Sequence, residues 1–335
     1  MIIQCIARYR ADKVEIVTTL PAIYSADAID QALRQHAQDA RGAYASNTER
    51  ALRSDVSIFT AWCLEADRAP LPASPETVSV FVDAMAELRA TATVRRYVSS
   101  IAIFHRAAGV PNPCDAISVK LALKRMHRER GRSQQQAAPL NDELVRQLLR
   151  ARGNRLRDLR HRAILVLAYC TMMRRSEIVE LQFSDLTIEA DGFGTVLIRR
   201  SKTDQEGEGA IAPIPGDAMR HIQAWIEAAK ITDGPLFRSV LRGNRVGGAL
   251  NACEVARAFK AMARRAGLSA DETARISGHS TRVGSAQDML RYGEQLPSIM
   301  QAGRWKSGEM VARYTAKQGA RQSAAVRIAE RRVQF

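Results

Sequence analysis

The sequence predicts a mostly α-helical chain of two domains, the first all-helical and the second α-rich with a small β-sheet. Three observations predict it. Capped amphipathic runs recur along most of the chain. Only two short stretches are β-like, and they lie close together. One polar stretch, Gly131-Arg-Ser-Gln-Gln-Gln-Ala-Ala-Pro139, separates two helical regions, and 335 residues suffice for two cores.

Residues 1–22 read as an extension with no assigned role; within it, 13–20 is β-leaning. Ser46-Asn-Thr-Glu49 has the pattern of a capping box ahead of a helix over 46–66. Ser74-Pro75-Glu76 places a cap and a first-turn proline before a helix that runs to about residue 89. A third helix covers 91–108 and stops at Gly109-Val-Pro-Asn-Pro113; a fourth covers 114–130. Together 23–133 form the helical domain, 134–139 the linker and 140–335 the second domain. Asn141-Asp-Glu opens that domain with a helix start, and 157–173 is its most apolar helix. Residues 194–200 and 210–214 are the β-like runs. Helices follow at 217–230, 251–266, 281–292, 297–302, 307–317 and 320–332.

Lys and Arg number 50 against 35 acids, a net charge of +15. The isoelectric point, about 10.1, is that of a nucleic-acid binder, although an acidic lipid would be attracted too. The five cysteines (Cys5, Cys63, Cys114, Cys170, Cys253) have no metal-ligand spacing, and their odd count suits a reducing compartment. No signal-peptide core is evident, and no apolar run approaches the ~18 residues of a membrane span. A soluble, cytoplasmic and nucleoid-associated protein is expected.

Four pieces of the second domain carry chemistry. They are Thr171-Met-Met-Arg-Arg-Ser-Glu177, Ser201-Lys202-Thr203, Gly278-His279-Ser-Thr-Arg282, and Gly303-Arg-Trp305 followed by Tyr314. Singly, each has an ordinary explanation: a surface ion pair at the end of the buried helix, a turn lysine, a capping histidine, core aromatics. Together they are a kit for moving a phosphodiester onto protein. Two arginines can grip one phosphate, His and Trp can donate to its oxygens, a lysine can protonate a departing hydroxyl, and a tyrosine can attack. The clustered carboxylates that would hold paired metals are missing, so neither metal nor cofactor is expected.

The order Arg, Lys, His-x-x-Arg, Trp, Tyr resembles that of the tyrosine recombinase (phage integrase) family. Ser277-Gly-His-Ser-Thr-Arg-Val-Gly-Ser-Ala-Gln-Asp-Met289 and Ile299-Met-Gln-Ala-Gly-Arg-Trp305 carry the likeness most strongly. It reaches the first domain at Ala61-Trp-Cys63, His105-Arg-Ala-Ala-Gly-Val-Pro111 and Ala116-Ile-Ser-Val119, covering roughly residues 45–331. Met172 stands where the family often has Gly.

The resemblance implies a 3′-phosphotyrosyl intermediate and a Holliday junction, without metal or ATP. Arg174 and Arg282 would clamp the scissile phosphate, Glu177 would orient Arg174, and His279 and Trp305 would bond its free oxygens. Lys202 would be the general acid and Tyr314 the nucleophile. Arg95 and Arg96 lie in the segment that resembles the family's major-groove reader. Arg50 is a further DNA-binding candidate. Lys120, Lys124 and Arg125 belong to a run, 120–132, with six basic residues and one acid, suited to phosphates. Asn251 or Glu254 would face bases from the second domain. The 320–332 helix would dock into a neighbouring subunit, giving a homotetramer on inverted-repeat double-stranded DNA from a chain that is monomeric or weakly associated when free. A type IB topoisomerase or a catalytically silent DNA-binding protein would share parts of this pattern.

Overall fold

The computed structural model describes residues 25–132, 136–151, 153–201, 204, 207–321, 326, 328 and 329. The chain divides at residues 135/136 into two compact units.

The first unit is wholly helical among its described residues: α1 (Ala26–Asp39), α2 (Ser46–Glu65), α3 (Pro75–Leu88), α4 (Thr91–Ala107) and α5 (Ile117–Arg130). Ser74 caps α3 by accepting from the Thr77 N–H, with Pro75 in the first turn. The expected cap at Ser46 is not formed. Ala45 holds the extended cap conformation, and Ser46 is already helical. The sequence reading also missed α1, a mainly polar helix with Leu33 as its buried anchor. Phe59, Phe81, Tyr97, Ile101 and Met126 join α2–α5 in one core, with Phe59 and Trp62 edge-on to Phe81.

The second unit begins with α6 (Asp142–Arg150), capped by Asn141, and α7 (Leu156–Cys170). The short α8 (Arg175–Glu180) follows, then β1 (Leu186–Ile188), β2 (Gly194–Ile198), β3 (Ala210–Ile214) and α9 (Gly216–Ala229). Then come β4 (Arg238–Val240), β5 (Val246–Ala249), α10 (Ala252–Arg265), α11 (Ala270–Arg275), α12 (Ser280–Arg291), α13 (Leu296–Gly303) and α14 (Gly308–Arg321). α7 is the central helix, as its apolarity predicts. α9, α10 and α12 pack against it, and Trp225, fully buried, donates to the Leu236 carbonyl at 2.9 Å.

Three expectations need correction. Two sheets form rather than one: β1–β2–β3 is antiparallel, and β4–β5 is a separate hairpin. Strands of three or four residues are too short to display alternation. The buried helix ends at Cys170 instead of running to residue 173, because Met172 turns left-handed (φ 50°). Last, α14 continues unbroken from Gly308 to Arg321, so no new helix starts at residue 320; most of 322–335 lies outside the described residues. No helix of the described residues is long and apolar enough to cross a membrane.

α12 is placed by a close crossing. The Leu140 N–H bonds the Ser280 carbonyl at 2.9 Å, and the Leu140 carbonyl lies against Gly284 where any Cβ would collide. That contact fixes the height of His279 and Arg282 above the rest of the unit.

Candidate active site

Three helix ends and the middle of a fourth helix bring six of the expected groups together. Arg174 does not close α7; it precedes α8, whose first turn carries Glu177. Glu177 is buried. Its Oε2 accepts from the Arg174 backbone N–H at 2.8 Å, and its Oε1 accepts from Arg174 Nη1 at 2.7 Å. One carboxylate therefore caps the helix and aims the guanidinium. His279 stands at the N-terminal end of α12, where its N–H donates to Ser277 Oγ at 3.1 Å. Arg282 follows in the first turn, Trp305 comes just after α13, and Tyr314 lies on α14.

Tyr314 and Trp305 stack at 5.2 Å within an apolar cluster that includes Met172, Val283, Ile299 and Val311. The Arg282 guanidinium lies 5.2 Å from the Trp305 ring centre. It donates to the carbonyls of Gly303, at 2.8 Å, and Met172. Its Nε has no partner among the described residues. His279 Nε2 is 2.5 Å from Tyr314 Oη, and Gln287 donates to the Tyr314 carbonyl at 3.0 Å. Arg282 is 0% exposed and Tyr314 8%, while Arg174 and His279 are part-exposed.

The sequence pattern singles out Gly303-Arg-Trp305 yet gives Arg304 no part. The structure turns Arg304 inward from a left-handed backbone (φ 51°) to the Thr171 and Met172 carbonyls and Glu177. A basic residue inside an otherwise apolar motif was the available signal. Lys202 lies outside the described residues. The described residues Ser201 and Asp204 exchange backbone hydrogen bonds at 3.1 and 3.2 Å.

Burial first, and then crowding of positive charge, sets the protonation states. Burial, then Arg282, Arg174, Arg313 and Arg175, push the His279 imidazole down to about 4. Near neutral pH it is uncharged, so Nε2 can accept the Tyr314 proton while Nδ1 carries the ring N–H. Burial with Arg174 and Arg304 lowers Arg282 to about 10, which leaves it charged. We expect the His279 ring of the DNA-free protein to titrate near pH 4 in an NMR titration; a midpoint at the ordinary 6.5 would contradict this packing. The unfolded chain then binds more protons between pH 6.5 and 4, so this group removes stability as pH falls through that window.

The DNA-binding candidates divide. Arg95 is exposed on α4, and Lys120 and Lys124 are exposed on α5. Arg96 is half committed: it pairs with buried Asp55 at 2.9 Å and lies over the Tyr97 ring. Arg125 pairs with Asp83 on α3 at 2.7 Å, and Arg50 bonds Asn47 at 2.7 Å. Asn251 spends its side-chain oxygen capping α10 on the Cys253 N–H, and Glu254 pairs with Arg257. Among the described residues no group of three or more His, Cys, Asp or Glu could hold a metal ion.

Residues 139–321 match the model of the phage integrase family. The chain is 34% identical over 281 residues to an integrase/recombinase XerD homologue of Selenomonas ruminantium, covering 81% of each chain. It is 29% identical over 332 residues to the recombinase Cre of Escherichia phage P1, covering 93% of this chain and 96% of Cre. Among solved structures, the Tn1549 transposon integrase in complex with circular intermediate DNA superposes with a TM-score of 0.59 at 18% identity, covering 87% of this chain and 99% of that one. A lambda integrase dimer bound to a COC′ core site gives 0.57 at 17%, covering 88% and 95%. At these identities the structures speak for the fold.

Proposed function

This chain belongs to the phage integrase family of tyrosine recombinases, and from that premise we propose that it cuts and rejoins double-stranded DNA at a specific site through a 3′-phosphotyrosyl link to Tyr314. The observation that carries the reading is the 2.5 Å approach of Tyr314 Oη to a neutral His279, within the cluster where Trp305 and Arg282 also meet.

A tyrosine hydroxyl with a pKa near 10 is a weak nucleophile at pH 7. His279 Nε2 is placed to take its proton as Oη attacks phosphorus. Arg174 and Arg282 meet the charge that grows on the phosphoryl oxygens, with Trp305 as a further donor. Lys202 gives its proton to the departing 5′ oxygen. The bond energy stays in the phosphotyrosyl ester, so a 5′ hydroxyl of a second duplex can reverse the step. Two such exchanges lead through a Holliday junction, and neither calls for ATP or a metal. Main-chain carbonyls take two of the five Arg282 N–H groups, so Nε and the second hydrogen of each Nη remain for the phosphate.

The net charge of +15 and the exposed Arg95, Lys120 and Lys124 supply phosphate affinity. We place the protein on inverted-repeat DNA as a tetramer, linked by the segment from Ala320 onward. Recombination of two marked duplexes in excess EDTA tests both points. The full chain should recombine. A chain ending before Ala320 should bind one site normally and recombine at least about tenfold less. Activity that only Mg²⁺ restores would refute the metal-free mechanism. Full activity without the tail would refute its role between subunits, and relaxation of supercoils without exchange would point to a topoisomerase.

A further inference from the structure

We infer that Arg304 is a positioning residue of this site: it neutralises Glu177 and ties together the two arginines proposed to hold the scissile phosphate. The inference rests on the recombinase reading and adds a residue to which that reading gives no part.

The argument begins with the backbone. Arg304 ends α13 in the left-handed region (φ 51°, ψ 50°), a place where glycine carries no penalty and a side chain does. The side chain kept there is turned inward. Nη1 donates to the Thr171 carbonyl at 3.0 Å; Nη2 donates to the Met172 carbonyl at 3.3 Å and to Glu177 Oε2 at 3.2 Å. Two of these three contacts are shared with another part of the site. Glu177 also receives Arg174, through Oε1 and through the backbone N–H on Oε2. The Met172 carbonyl also receives Arg282 Nη1. Met172 is itself left-handed, so the arginine pins a second unfavourable backbone position from across the site. One guanidinium thus joins Arg174 through a carboxylate and Arg282 through a carbonyl.

The charges give this a catalytic consequence. Arg174, Arg282 and Arg304 face one carboxylate, Glu177, leaving two positive charges over among these four groups. A phosphodiester brings one negative charge. The five-coordinate transition state formed with a tyrosine oxyanion brings two. Without Arg304, Glu177 would cancel half of what Arg174 and Arg282 offer just as the charge on the phosphoryl oxygens grows. The effect should therefore fall on the chemical step more than on DNA affinity.

Arg304→Gly is the informative variant, since it removes the guanidinium and relaxes the backbone. DNA affinity and single-turnover formation of the covalent adduct on a nicked substrate would be measured separately. Affinity should stay within about twofold, and adduct formation should slow by roughly 10- to 100-fold. Arg304→Lys keeps the charge but not the fork and should fall between. In a Glu177→Gln background there is no carboxylate to neutralise, so Arg304→Gly should cost several-fold less than in the parent. Unchanged adduct formation, equal losses in both backgrounds, or a loss explained by a lower melting temperature and weaker DNA binding would each overturn the inference. A parent protein that forms no adduct would overturn the recombinase reading as well, which separates the two failures.

Discussion

Tyr314→Phe should form no covalent adduct with DNA, a fall of at least roughly 10⁴-fold, while site binding persists. The change removes one oxygen from a ring that remains stacked on Trp305 in its apolar cluster. It leaves His279 Nε2 without its partner in a part-buried setting, a stability cost of about 1 kcal/mol. That is small enough for the unit to stay folded. Gel detection of the adduct, with mass spectrometry of the linked peptide, checks the result. A link mapped to any other residue, Tyr292 included, would overturn the mechanism; Tyr292 is exposed and bonded to Asp142 at 2.9 Å.

Lys202→Ala should act on the other end of the reaction. Without a proton donor the 5′ oxygen leaves as an alkoxide, and cleavage of ordinary DNA should slow by roughly 10²- to 10⁴-fold. A bridging sulfur at that position leaves as a stable thiolate and hardly needs the proton. The variant should therefore recover most of its rate on the sulfur substrate, and Tyr314→Phe should recover none. If Lys202→Ala stays equally slow on both substrates, the lysine contacts the phosphate and is not the acid.

How far these features could be read beforehand depends on their length and on what holds them. Helices with their own caps, such as those opened by Ser74 and Asn141, were legible because the signal is local. α8 and α11, six residues each, are shorter than two turns and carry no visible period. The order and spacing of Arg174, Glu177, His279, Arg282, Trp305 and Tyr314 could be read without coordinates, and the structure brings these six together. Their arrangement could not be read. Nothing local indicates that Arg174 belongs to the start of a helix, because the break depends on the left-handed turn at Met172. The base-facing candidates were least legible. An arginine in a basic run reads the same whether it points at solvent or, like Arg125, pairs with Asp83 on a neighbouring helix.

The burial of Tyr314 and Arg282 has a consequence for fidelity. A genome offers roughly 10⁶–10⁹ stretches of wrong sequence, and a strongly cationic protein will rest on many of them. An exposed nucleophile there could nick indiscriminately. With Tyr314 and Arg282 buried, we expect a rearrangement to precede the proposed chemistry. Cognate DNA binds such proteins about 4–10 kcal/mol more tightly than random DNA, and part of that difference can drive the rearrangement. Random DNA has no such surplus. On the proposed function, sequence discrimination would be exercised twice, once in residence time and again in the rate at which a resident molecule becomes competent to cut.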